Sequence, residues 1–340
     1  MSDDGGSRLP EDLEDVSRRQ FLMGAGGALT AVGAAKAAHN TILGYGELGM
    51  GTNLKEQDLA AVADGNLRPS YDETFGSVRL RIVDEGVALD ADGDRQVLGF
   101  ESTTDDEARE LDAEYGLDGR LTALFADARD LHAGDYTFEF SQPSAFFERM
   151  EAADARPDAV TAVRERYDRT ADPNIVGAFA ETEPSDTEAL VEGMMTGFRE
   201  HGHYDVPRYV AGSVEDNVIF GAADLRAPFE DPVDFESLLE ADSTGLFCWE
   251  LVYRSMGAFQ AVGPWDQTVP MAAGYVRDSR HKHAFTALLS AVRENGTLRL
   301  PVTFVDYTHS TLYDDLHTTG LMGEGLTAYD TDHRADEIIW

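Results

Sequence analysis

Cysteine is nearly absent: Cys248 is the only one in 340 residues. No intramolecular disulfide can staple the fold, and the redox compartment cannot be read from pairing. Lysine is scarce as well, with only Lys36, Lys55 and Lys282, so the basic charge is almost entirely arginine. Positive charge is outnumbered overall, with 27 basic against 64 acidic residues and a net charge of −37. A chain so acidic is a poor partner for duplex nucleic acid or an anionic membrane surface. Its acidic residues are spread along the whole length rather than gathered in a tail. That pattern suits a solvated surface in high salt, where screening weakens self-repulsion. Long apolar runs are missing too, which excludes a membrane span outside the first 40 residues. What remains is a 42% hydrophobic chain, long enough for one large domain or two ordinary ones.

Residues Met1–Val16 are polar and acidic. Arg18 and Arg19 follow, then Phe21-Leu22 and the Gly/Ala-rich stretch Met23–Ala35, with Ala35-Lys36-Ala37 behind it. This segment resembles a twin-arginine signal peptide with an A-x-A cleavage site over residues 1–38. The resemblance implies export in the folded state to the outside or the cell surface, with an uncleaved signal as the one membrane attachment. Residues 39–145 read as a β-rich N-terminal region. Ser77–Val83 alternates, Gln96–Phe100 follows the turn Asp90–Asp94, and Tyr136–Phe140 alternates again. Leu121–Leu131 fits helix or strand. Ala133-Gly-Asp-Tyr136 is similar to the closing strands of immunoglobulin-like sandwiches. A helical connector spans 146–186, interrupted at Pro173. Thr187–His201 reads as an amphipathic helix with Leu190, Val191, Met194, Met195 and Phe198 on one side. Asp205–Gly212 and Asn217–Phe220 read as short strands.

Cys248 follows a Ser-Thr-Gly turn, Ser243–Gly245, at the start of an apolar helix that meets its stop signal at Gly257. A thiol in the first helical turn feels the positive end of the macrodipole, which favours the thiolate. Strand-like Val269–Val276 comes next, then His283-Ala-Phe285, the turn Glu294–Thr297, and Leu298–Tyr307, broken by Pro301. Two adjacent antiparallel strands would set His283 beside Asp306. Trp249 reads as a core anchor.

The ordered set Gly245-Leu-Phe-Cys248, Met256-Gly257, Ala273-Gly-Tyr275, His283-Ala-Phe285 and Phe304-Val-Asp306-Tyr-Thr308 resembles the transglutaminase-like superfamily, which shares the papain-like thiol fold. One extra residue separates Gly245 from Cys248, Phe285 replaces a Trp, and Tyr307 replaces a Pro. The resemblance implies an α+β fold. Its transglutaminase-like core, over residues 187–325, has a nucleophile helix packed on an antiparallel sheet, and residues 326–340 follow as a tail. It implies Cys248 as nucleophile, His283 as its ion-pair partner and proton donor, and Asp306 as the group that orients His283. Tyr209 is the candidate second oxyanion donor. The expected substrate is a protein or peptide amide, hydrolysed rather than transferred, with no cofactor and no metal. Two alternatives stay open. One is a catalytically inactive binding protein at the cell surface. The other is a metallohydrolase using His281, His283, His309 and Asp306, with His201 and His203 as further donors, although no HExxH spacing is present.

Overall fold

The computed structural model describes residues 54–164, 171–205, 208, 211, 234–241, 243–279, 283–308 and 333–340. Arg18, Arg19, Tyr209, His281, His309 and the expected strand Asn217–Phe220 lie outside them. The chain divides into a larger unit, 51–203 with 233–340, and a smaller one, 1–50 with 204–232. In the smaller unit Arg208 and Ala211 are helical where a strand was predicted, and Asp205 Oδ1 accepts the Arg208 N–H at 2.9 Å. No helix among the described residues is long and apolar enough to cross a membrane.

The larger unit is a mixed α/β structure with antiparallel sheets. After helix α1 (Leu59–Gly65) comes a four-stranded meander: β1 (Asp72–Phe75), β2 (Val78–Val83), β3 (Gly86–Ala91) and β4 (Asp94–Gly99). Its β3–β4 turn places Asp92 and Gly93 at φ 52° and 90°, the left-handed pair that a tight hairpin requires. Helices α2 (Asp105–Tyr115) and α3 (Arg120–Ala133) follow. Leu121, Leu124, Phe125, Ala128 and Leu131 are all buried on α3. That spacing has the helical period, which settles the Leu121–Leu131 ambiguity.

Strand β5 (Tyr136–Phe140) follows α3 and runs parallel to β11 (Thr297–Val305) in the larger sheet. Helices α4 (Pro143–Glu151), α5 (Pro157–Arg164) and α6 (Pro173–Ala180) follow. Each carries a proline at its first helical position, where the missing N–H costs nothing. Pro173 therefore starts a helix. Helix α7 (Thr187–His201) buries Leu190, Val191, Met194 and Phe198, with Asp186 Oδ1 capping it through the Ala189 N–H. Next come β6 (Gly202–Tyr204), α8 (Phe235–Glu240), β7 (Thr244–Leu246) and α9 (Cys248–Phe259). Helix α9 runs past Gly257, which is buried inside it, and its C-cap is Gln260. The Met-Gly signal therefore falls inside the helix rather than at its stop.

The larger sheet is completed by β8 (Ala272–Asp278), β9 (His283–Leu289), β10 (Val292–Glu294) and β12 (Glu337–Ile339). Strands β9 and β10 form one arm of a hairpin with β11, closed by Asn295-Gly296 at φ 51° and 83°. The arm is interrupted at Ser290-Ala291, where the Ser290 N–H reaches Pro301 O at 2.9 Å. A strand residue's N–H and C=O point the same way, so the donor that Pro301 lacks falls at this interruption. The strand therefore passes through Pro301 unbroken. Every residue of β9 is buried. Ser255 of α9 meets Thr286 at 2.6 Å on one face, while Phe285, Ala287 and Leu289 join the main core on the other. Asp127 of α3, itself buried, accepts from Arg156 at 2.8 Å and from Arg293 of β10 at 2.8 Å, tying the helices to the sheet.

Residues beyond 325, predicted as a tail, include edge strand β12, whose Ile338 pairs with Val276. Trp340 is 1% exposed, and its Nε1–H donates to Ala63 O at 2.8 Å. Gly274 of β8 makes room for it: a Cβ there would lie 2.7 Å from Trp340 Cε3. The Gly274→Ala variant is accordingly expected to lose about 1–3 kcal/mol to overpacking, read as a lowered urea midpoint. An unchanged midpoint would show that the indole is not seated on this glycine.

Candidate functional site

The site is assembled at the end of the larger sheet where β9 begins and β11 finishes. His283 is the first residue of β9 and sits opposite Asp278 of β8. Asp306 comes one residue after β11, which is antiparallel to β9. The strand ends bring the two side chains together, with His283 Nε2 2.7 Å from Asp306 Oδ2. Both are buried, His283 at 6% and Asp306 at 0% exposure.

Asp306 is held on several sides. Its Oδ1 accepts the Thr308 N–H at 2.9 Å, a local turn in which the side chain mimics the backbone. The adjacent Tyr307 is buried, packs against Phe198 of α7 at 5.3 Å and donates its hydroxyl to Val191 O at 3.3 Å. Burial pushes the Tyr307 phenol up, so it remains a neutral donor. A third residue, which the sequence reading did not single out, reaches the same carboxylate. His333 Nε2 is 3.0 Å from Asp306 Oδ2, and the ring is fully buried. An ionised carboxylate only accepts, so both imidazole Nε2 atoms carry the hydrogen.

Cys248 is the first residue of α9, 8% exposed. Helix α9 packs on β8 and β9 and sets the thiol within hydrogen-bonding reach of His283. Since Nε2 faces Asp306, Nδ1 is the nitrogen left for the sulfur. The start of α9 is fixed by Glu250, whose Oε2 accepts the Phe247 N–H at 2.7 Å. Burial opposes protonation of His283. The Asp306 carboxylate on one side and the Cys248 thiol on the other outweigh it and hold the pKa well above the usual imidazole value. Burial pushes His333 the other way, below that value, despite its bond to Asp306. The two rings, 5.4 Å apart, therefore differ in charge at neutral pH. Phe285 packs against His283 at 6.2 Å, Phe304 at 5.6 Å and His333 at 5.2 Å, walling the site from below.

Of the other candidate donors, His203 bonds Ser243 through Nδ1 at 2.8 Å and His201 packs on Phe179. Among the described residues, the His283, Asp306 and His333 donor atoms lie within 4.8 Å of one another. Two of those separations are hydrogen-bond lengths. Trp249 is not a core anchor. It is 39% exposed beside Cys248 and continues into an aromatic row through Tyr253 and Tyr275, at 5.8 and 5.5 Å. Position two of a helix whose buried face starts at position one points outward, which hydrophobicity alone could not show.

Compared with family models, curated proteins and solved structures, the chain matches none of them.

The buried pair sets a pH-dependent stability. His283, with its folded pKa raised, contributes in full below the unfolded value of about 6.5, and the contribution is lost as pH rises through the raised value. The Asp306→Asn variant removes the charge that raises it. It is expected to cost about 3 kcal/mol or more near pH 6.5, with the deficit shrinking towards pH 10. Urea titrations of both proteins across that range check it; a deficit independent of pH would exclude a charged His283.

Proposed function

We propose that this chain is a thiol enzyme with a transglutaminase-like, papain-like core that hydrolyses amide bonds in a protein or peptide. The single observation that carries the reading is His283 placed between the Cys248 thiol and the Asp306 carboxylate. In this reading the proton rests on His283, and Cys248 is the thiolate at the positive end of α9. Sulfur attacks the substrate carbonyl carbon, and its oxygen takes the negative charge, stabilised by the Cys248 backbone N–H. When the C–N bond breaks, His283 gives its proton to the leaving amine. A water, deprotonated by His283, then attacks the thioester; the C–S bond breaks, releasing the acid and restoring the Cys248 thiolate beside the protonated His283. Asp306 keeps the imidazole turned towards sulfur and stabilises its charged form. Tyr209 stays the proposed second oxyanion donor. Hydrolysis is preferred to transfer because excluding water from the thioester needs an enclosed site.

The proposed setting is outside the cell. The Arg18-Arg19 segment would direct export of the folded protein, and the net charge of −37 suits a saline medium. A β-rich N-terminal region remains part of the proposal, its meander β1–β4 standing ahead of the core strands. A second reading, an inactive binding protein, is favoured by the exposed Trp249, continued by the half-buried Tyr253 and Tyr275, which offers recognition surface without chemistry. A metallohydrolase would draw on the His283, Asp306 and His333 atoms instead.

Alkylation by iodoacetamide across pH tests the proposal. A model thiol of pKa about 8.5 is only about 1% ionised at pH 6.5. The expected result is labelling of Cys248 at pH 6–7 far faster than that fraction allows, slowed about tenfold or more by His283→Ala. Labelling that follows an ordinary thiol sinks the enzyme reading in favour of the binding one. Against peptide substrates, Cys248→Ser is expected to abolish hydrolysis and His283→Ala to slow it about 10²–10⁴-fold. Hydrolysis that survives Cys248→Ser and is lost to a chelator would instead identify a metal enzyme.

A further inference from the structure

The Asp306 carboxylate faces more than the imidazole it is proposed to orient. Oδ2 stands 2.7 Å from His283 Nε2 and 3.0 Å from His333 Nε2, while Oδ1 takes the Thr308 N–H at 2.9 Å. We infer that His333 is a positioning residue of the site, donating its Nε2–H to Asp306 Oδ2 so that the carboxylate keeps the rotation that orients His283 towards Cys248. This inference rests on the thiol-enzyme reading and names a group that the Cys, His and Asp order does not contain.

Without His333, Oδ2 would lose a donor that is independent of the ring it has to steer. A carboxylate with fewer fixed donors at Oδ2 swings more freely about its last torsion, and the His283 ring swings with it. The second donor removes that freedom. His333 can do so because the residues that follow it are themselves held. The next residue, Arg334, donates its N–H to Asp278 Oδ2 at 3.1 Å, and Asp278 is the register partner of His283. Ala335 exchanges two hydrogen bonds with the Gln57 amide, at 2.9 and 3.2 Å. Asp336 donates its N–H to Arg277 O at 2.8 Å, and β12 then pairs with β8. The ring is packed edge-on against Phe285 at 5.2 Å. Burial keeps it neutral, so it shares the carboxylate with the charged His283 without placing a second positive charge there.

The experiment compares wild type, His333→Phe and His333→Gln by iodoacetamide rate against pH, with melting temperature and far-ultraviolet circular dichroism recorded alongside. Phenylalanine fills the space without a donor; glutamine can replace the donor with its amide. The expected result is a neutral-pH rate about tenfold lower in His333→Phe, equivalent to about one unit of upward movement in the thiol profile. His333→Gln should stay within about threefold of wild type. A merely structural role would change the melting temperature and leave the profile of the folded protein in place. A folded His333→Phe with the wild-type profile overturns the inference and leaves the thiol-enzyme reading standing. A wild type that already labels as an ordinary thiol overturns both. Should His333→Phe not fold, proton–nitrogen spectra of wild type and His333→Gln decide. Two carboxylate-bonded imidazole N–H signals in wild type, one of them lost in His333→Gln, support the inference; a single signal in both overturns it.

Discussion

Everything at this site depends on one buried carboxylate having enough donors. Asp306 is inaccessible to water and accepts from His283, His333 and the Thr308 backbone. A buried anion so surrounded repays its desolvation through charge-assisted bonds, and one stripped of them would not. The charge on His283 follows from that, and the proposed thiolate of Cys248 follows from the charge on His283. The rest of the larger unit supplies the donors. The β9–β11 pairing brings His283, Tyr307 secures the turn after β11 to α7, and β12 brings His333.

The framework that holds these parts is built from long-range pairings. Strand β5 lies parallel to β11 although about 160 residues separate them, and Asp127 ties α3 to both Arg156 and Arg293. Strand β9 is covered on both faces, by α9 and by the main core, so its position is set more tightly than that of any edge strand. His283 at its first residue inherits that rigidity while reaching the sheet's end, where a substrate could approach. Helix α9 meets the same strand through Ser255 and Thr286, which fixes the distance from thiol to imidazole.

What could be read from the amino-acid order was the part governed by local periodicity and by ordered motifs. Helix α7 has its predicted limits because five apolar residues repeat at helical spacing behind an Asp cap. The meeting of His283 and Asp306 was legible because a hairpin of ordinary length joins them. Gly257 misled because glycine is a common stop signal yet also occurs buried inside a helix, and local sequence does not distinguish the two. Trp249 misled because hydrophobicity does not say which way a helix's first turn faces. His333 left no local signal. It stands in no motif, and its meaning comes from an edge strand pairing with β8, an arrangement that sequence spacing does not encode. The partner of β5 was hidden for the same reason, since alternation predicts a strand but not its neighbour.

Strand β12 has a consequence for the order in which the molecule becomes competent. A chain emerging from the ribosome presents Cys248, His283 and Asp306 well before it presents His333 and Trp340. Trp340 docks on Ala63, 277 positions earlier, so this closure is among the most distant contacts in the fold and among the slowest to form. Until it forms, Asp306 lacks the His333 donor, and in the proposed mechanism the thiol beside His283 is not yet activated. On the proposed mechanism, synthesis thus carries its own delay: the nucleophile is armed only once β12 has docked and His333 has reached the carboxylate.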